Sequence, residues 1–254
     1  MIVNRKYFKM NRYLVLIVML FTLNASVLNS EPLILNSKMD SIHLEQYLYY
    51  FEDSTGNMKF NDIRNLDHGQ FKKVPFDKIN IGYTDLTLWY RITVKNVQSE
   101  PLTWIFESKY PLLDYITLYI PADSGYIEMA SGERLPFKTI PMGHYNFIAK
   151  IITDPGESTF YIRIKSEGSL VVMLRAWDYE SFLKNVVTEI SLLWLFYGIT
   201  LALFFYNLFI FIVSKDKAYL YLALFILSTT TFTFIHNGLA RKYLWPDIEW
   251  WVNY

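Results

Sequence analysis

The chain has 254 residues, of which 52% are hydrophobic and 18% aromatic, and its 24 basic side chains balance 24 acidic ones. That length has room for one soluble domain and a few membrane spans, and a zero net charge gives no reason to expect a nucleic-acid partner. With no cysteine, disulfides, thiolate metal sites and a lipidated N-terminal cysteine are excluded.

Residues 1–30 carry Arg5, Lys6, Lys9 and Arg12 ahead of the apolar run Leu14–Leu23. A basic stretch before about ten apolar residues has the form of a secretory signal peptide and is short for a membrane span. Ala25, Ser26 and Ser30 offer small residues for cleavage. An uncleaved signal anchor is the alternative, and either version sends the next segment out of the cytoplasm.

Residues 31–180 read as one exported domain built of short alternating runs. Leu88, Tyr90, Ile92 and Val94 fall on one face of a strand, with Trp89, Arg91, Thr93 and Lys95 on the other. Phe160, Ile162 and Ile164 alternate with Tyr161, Arg163 and Lys165 in the same way. Further strands are expected over Leu102–Glu107, Tyr115–Ile120, Tyr126–Ala130, Asn146–Ile152 and Ser169–Leu174, separated by Asn, Asp, Gly and Pro turns. A short helical turn is expected around Asn61–Arg64. Many short strands without a βαβ rhythm predict an all-β sandwich or jelly roll, with α-helical transmembrane segments after it.

Residues 181–254 form the membrane part. Asp178–Thr188 is polar and reads as a helical lead-in. No charge then interrupts Ile190–Val213, a run of about 24 residues where about 20 suffice to cross a bilayer. A buried core helix of a soluble protein is the competing account, but such helices are rarely this long and uniformly apolar. Ser214–Lys217 leaves room only for a tight turn. The next span covers about 218–237 and carries Ser228, Thr229, Thr230, Thr231 and Thr233, whose hydroxyls can bond to their own helix or to a neighbour. Trp245, Trp250, Trp251 and Tyr254 crowd where an interfacial aromatic belt belongs. Lys215 and Lys217 against Lys184, Arg241 and Lys242 nearly tie in the positive-inside count, so the signal peptide sets the orientation. Residues 31–189 are then extracytoplasmic, in the periplasm, and the protein is integral to the inner (cell) membrane.

Several short stretches recur in a known order. They are Tyr50–Asp53 with Gly56, Trp89-Tyr90-Arg91, Tyr110–Asp114, Gly132–Phe137, Ser166–Leu170, Tyr197-Gly198, Tyr206–Phe209, Tyr219–Tyr221 and Tyr243–Pro246. Together they resemble the type 2 extracellular domain and membrane domain of bacterial seven-transmembrane receptors with diverse intracellular signalling modules. The resemblance implies a jelly-roll sensor akin to carbohydrate-binding modules, fused to seven helices and usually to a cytoplasmic cyclase, kinase, diguanylate cyclase or phosphatase. Tyr145 stands where that family commonly has arginine, which weakens a borrowed basic contact there. Only two of the seven helices, with no output domain after them, are expected in this stretch. The chain therefore reads as a truncated receptor that relies on the remaining helices and output, in the full-length protein or another chain.

No catalytic motif, metal-ligand spacing or cofactor signature is found; the four histidines are scattered, and the chain is expected not to be an enzyme. The expected partners are the lipid bilayer and an unknown small molecule of carbohydrate-like character. Aromatic rings that stack on sugars and polar groups that pair with hydroxyls make Trp89, Arg91, Trp104, Asp114, His144, Asn146, Arg175 and Trp177 the candidate ligand-binding residues. Core packing is the other account of the tryptophans, a solvated sheet face that of Arg91 and Arg163, and a turn cap that of Asp114. In the first span, Gly198 and Ala202 would allow close helix packing, while Thr200 and Asn207 share a second face that should meet other helices. An envelope-binding or adhesion module, with helices that only anchor it, is the alternative to a receptor.

Overall fold

The computed structural model describes residues 31–36, 39–75, 80–137, 140 and 143–246, so the expected signal peptide and Trp250, Trp251 and Tyr254 of the expected aromatic belt lie outside the described residues. The strands are β1 (Leu33–Leu35), β2 (Ser41–His43), β3 (Tyr49–Asp53), β4 (Lys72–Lys73), β5 (Asn80–Tyr83), β6 (Thr87–Asn96), β7 (Leu102–Ser108), β8 (Tyr115–Ala122), β9 (Gly125–Ser131), β10 (Phe147–Thr153), β11 (Gly156–Lys165), β12 (Ser169–Val171) and β13 (Leu174–Asp178). Four α-helices accompany them among the described residues, α1 (Phe60–Arg64), α2 (Tyr179–Ser214), α3 (Lys217–His236) and α4 (Leu239–Tyr243), with short 3-10 turns at Leu44–Tyr47 and His68–Gln70.

A larger sheet runs β4-β3-β6-β11-β8-β9, with β1 joining β6 in parallel beyond the end of β3. A smaller sheet runs β10-β7-β13-β2, and β5 pairs with β12 in a separate ribbon. All other pairings are antiparallel. The period-two pattern sets which side chains meet between the sheets. Tyr90, Ile92 and Val94 of β6 and Phe160, Ile162 and Ile164 of β11 face Trp104 and Phe106 of β7, Phe147 and Ile151 of β10, and Ala176 of β13. Each fully buried large apolar side chain there contributes about 1.5–3 kcal/mol by leaving water.

The outer faces are not solvated as the alternation suggests. Residues 57–71, with α1, lie over the outside of the larger sheet. There Ile63, Phe71, Trp89, Tyr119 and Tyr161 form a second core. Phe60 stacks on Tyr119 with centroids 4.1 Å apart and planes 3° from parallel. β6 is therefore buried on both faces over most of its length. Asp53 starts the covering segment: its carboxylate accepts from Thr55 N, Thr55 Oγ1, Gly56 N and Met58 N. Burial opposes its charge, but those bonds outweigh burial and hold its pKa below the ordinary carboxylate value. Its neighbour Glu52 points the other way and is exposed.

The smaller sheet's outer face is covered by the start of α2, where Phe182 packs on Ile105, Ile148 and Trp177. Asp178 caps the helix by accepting from Glu180 N and Ser181 N at 3.0 and 3.1 Å. The helix then continues without a break for 36 residues, about 54 Å at about 1.5 Å per residue. Its second half is apolar on nearly every side and exposed, as a lipid- or helix-facing surface must be. Lys215, at φ 61°, ends it, and Asp216 caps α3.

α2 and α3 meet along Tyr197, Thr200, Phe204, Asn207 and Phe211, a spacing of three and four residues. Asn207 is buried in this seam and donates to its own helix at Leu203 O, 2.8 Å away; Thr200 donates to Tyr197 O. Gly198 and Ala202 are exposed, and a Cβ on Gly198 would meet nothing within 4 Å. The close approach expected at that pair is thus not made with α3, because the seam lies on another side of the helix. The hydroxyls of Ser228, Thr229, Thr230, Thr231 and Thr233 all donate to carbonyls of the preceding turn. Each is satisfied within α3, which makes it compatible with lipid without a polar neighbour.

Candidate functional site

A concavity of about 760 Å³ lies on the outer face of the larger sheet. Its floor is Trp89 of β6 and Tyr119 of β8, their rings 5.7 Å apart and nearly parallel. Arg163 of β11 sits directly opposite Trp89 in the strand register and places its guanidinium 5.7 Å from the indole. Lys59, Phe60, Asn61 and Arg64 form one rim, and Ser124, Gly125, Tyr126 and Glu128 of the β8–β9 hairpin form the other. Trp89 is 1% exposed, and its Nε1–H has no hydrogen-bond partner. An indole nitrogen only donates, so this floor holds an unused donor.

The eight candidate residues do not gather there; they separate into four places. Trp89 lines the cleft. Arg91 lies beside it on the same sheet face but is 3% exposed, paired with His68 Nδ1 and held 4.8 Å from the Phe71 ring. It cannot meet a ligand, because residues 57–71 cover it. Trp104 is in the core between the sheets, with Nε1 donating to Thr153 Oγ1 at 2.8 Å. None of Trp89, Trp104 and Trp177 presents a bare ring face, so the sugar-stacking role expected of them is corrected to packing.

His144, Asn146 and Trp177 belong to a buried polar cluster under α2, with Arg175 beside it, 5.6 Å above the Trp177 ring. Its centre is Glu107, 1% exposed, which accepts from Asn146 Nδ2 at 2.8 Å and Trp177 Nε1 at 2.7 Å. Burial raises the Glu107 pKa despite those two bonds. Lys109 and Asn185 both reach Glu189 of α2, closing the cluster against the helix. His144 accepts from Asn146 N at 3.1 Å through Nδ1, and its ring stacks on Tyr145 and approaches Phe182. Burial, then the positive charge of Lys242, pushes its pKa from 6.5 down to about 4.

This has a measurable consequence. Above pH 6.5 His144 is neutral whether the chain is folded or not. As pH falls from 6.5 toward 4, the unfolded chain takes up a proton that the folded one resists, so stability is lost across that window, by roughly 3 kcal/mol in full. The His144 ring resonance should titrate near 4, and His144→Phe should remove this part of the pH dependence. A midpoint near 6.5 for His144 would contradict the expected result.

Asp114 is at the fourth place, where the sandwich meets the membrane helices. It accepts from Glu167 N at 2.7 Å and lies 3.5 Å from Arg134, which also pairs with Glu167 at 2.6 Å. Around it a smaller cavity of about 260 Å³ is shared by Pro111, Asp114, Glu133, Tyr145, Gly238 and Arg241. Arg241 of α4 donates to Gly132 O at 2.6 Å and to Leu135 O. Tyr145 packs with Tyr197 and Leu239, and Asn237 donates to the Tyr197 hydroxyl at 3.0 Å. Gly132 must be glycine: its φ is +145°, and a Cβ would lie 2.1 Å from Asp114 O.

Sequence reasoning missed Arg64, Tyr119 and Arg241 as site residues and read Arg163 as solvated. Only the pairing of β6 with β11 reveals that Arg163 and Trp89 are neighbours. The β8–β9 hairpin links two of these places. Its turn lines the cleft, while its base, Asp114 to Tyr115 and Ser131 to Arg134, is gripped by Arg241. Glu52, Glu107 and Asp114 lie in three separate environments: exposed, under α2 and at the hairpin base.

Residues 45–178 match the family model described as 7TMR-DISM extracellular 2, and residues 189–254 match that described as 7TM diverse intracellular signalling. The unmatched interval between them, 179–188, holds Phe182 and the first turns of α2, which pack on the smaller sheet. Comparison with curated proteins found no match.

Proposed function

Since the chain belongs to the family of seven-transmembrane receptors with diverse intracellular signalling modules, we propose that it senses a small extracytoplasmic ligand with its sandwich and passes the event to its membrane helices. The reading is one of binding without catalysis, with the ligand in the cleft over Trp89 and Tyr119. The observation that carries it is the β8–β9 hairpin, which lines the cleft at its turn and is held by Arg241 at its base. Strands of seven and eight residues span about 25 Å at about 3.3 Å per residue, so a tilt of the hairpin at the cleft moves the junction. The bound ligand then favours one packing of the helices, a population shift. The exposed side of α2 carrying Gly198 and Ala202 is available to further helices of the membrane domain.

Because the chain has no native cysteine, single cysteines can test this reading. In intact cells Asp123→Cys should react with a membrane-impermeant maleimide and Asp216→Cys should not. Hydrogen exchange on the chain in lipid nanodiscs, with glucose, glucuronate or phosphate added, should change at 132–135 and 238–241 when a compound binds. Binding that leaves those segments unchanged would mark an anchored binding module instead of a receptor.

A further inference from the structure

We infer that the cleft on the larger sheet is a site for a small anionic ligand, one bearing a carboxylate, phosphate or sulfate group. This rests on the reading of the sandwich as the sensing part and names the chemistry of its site. Lys59, Arg64 and Arg163 reach the cleft, and Glu128 is the one acid in its lining. None of the three cations forms an ion pair among the described residues. Arg163 lies over Trp89, and Arg64 lies 5.3 Å from the Tyr126 ring. A guanidinium resting on a ring keeps its in-plane N–H groups free, and that planar fork matches two oxygens of an anion. Because the Arg163 guanidinium rests over the Trp89 ring, an anion held by Arg163 is felt at the buried indole N–H without touching it.

A neutral sugar fits less well. Its usual platform, a bare tryptophan face, is absent because Arg163 and Tyr119 flank the indole and leave it 1% exposed. The lining is also polar around an aromatic floor, and about 760 Å³ lies within the usual size of small-molecule sites.

The test is calorimetric titration of the full chain in nanodiscs with inorganic phosphate, sulfate, glucuronate and glucose. At least one anion should bind, weaken with rising salt, and shift the Trp89 indole N–H resonance, while glucose at equal concentration gives none of these. Arg163→Gln and Arg64→Gln should each weaken that anion at least tenfold, with Arg163→Lys in between. Because neither arginine is in an ion pair and each variant loses only a cation–π contact, both should melt within a few degrees of the parent, which separates lost binding from lost folding. Anion binding that survives the double variant overturns the inference, as does no response to any of the three anions. Glucose binding alone, with the Trp89 resonance shifted, also overturns the anionic assignment but leaves the cleft as the sensing site. The labelling and exchange experiments judge the receptor reading separately.

Discussion

Replacing Gly132 with alanine is expected to disorder the contact between the sandwich and the membrane helices. The added Cβ would lie 2.1 Å from Asp114 O and 2.6 Å from its carbonyl carbon, both backbone atoms that cannot swing aside. Adopting φ +145° would add strain of about 1–3 kcal/mol even without the overlap. The total should be on the order of 3–5 kcal/mol, a large share of the roughly 5–15 kcal/mol that holds a typical domain folded. Relief requires the hairpin base to open, which breaks Glu133 N to Leu113 O and removes the Gly132 carbonyl from Arg241. Hydrogen exchange should therefore rise at 113–115, 132–135 and 238–241, while β6 and β11 keep their protection. Gly143→Ala, at φ +59° with open space around it, provides the comparison: it carries backbone strain without overlap and should cost less. Equal effects of the two substitutions would show that the packing against Asp114 is unimportant.

The second large effect is expected at Phe182. It is 2% exposed and fills the space between Ile105, Ile148 and Trp177, so Phe182→Ala should cost about 3–5 kcal/mol as an unfilled cavity. The loss falls on the joint between sandwich and helix. Residues 31–189 expressed without the spans should fold as a soluble, mainly β domain because the first turns of α2 cover the smaller sheet. Ending the segment at 178, or introducing Phe182→Ala into the longer one, should expose Ile105, Ile148 and Trp177 and give self-associated material on size-exclusion chromatography. Monomeric, cooperatively unfolding protein from the 31–178 segment would show that α2 merely passes by.

That boundary illustrates what local pattern can and cannot specify. The polar stretch Asp178–Thr188 reads as a helical lead-in, but polarity alone does not say that one side of it, through Phe182, is glued to a sheet. Likewise, alternation places Trp89 and Arg91 on the outward side of their strand, and they are there. Their burial comes from residues 57–71 folding back over that side, a contact between segments with no shared periodicity. The outward tryptophan, tyrosine and arginine of the cleft come from three different strands, so no single run of sequence contains the site.

The alternating strands, the unbroken apolar run from Ile190 and the tight turn at Lys215 are legible in the chain alone, because each is set by residues close together in it. The family is legible too, through the order of its short motifs. That Gly132 meets Asp114, that Arg163 lies over Trp89 and that Arg241 holds the hairpin base emerge only in three dimensions. These pairs are separated by 18, 74 and about 109 residues, and strand register and sheet packing bring them together. Hydrophobic periodicity specifies which face of an element is buried; it does not specify what buries it.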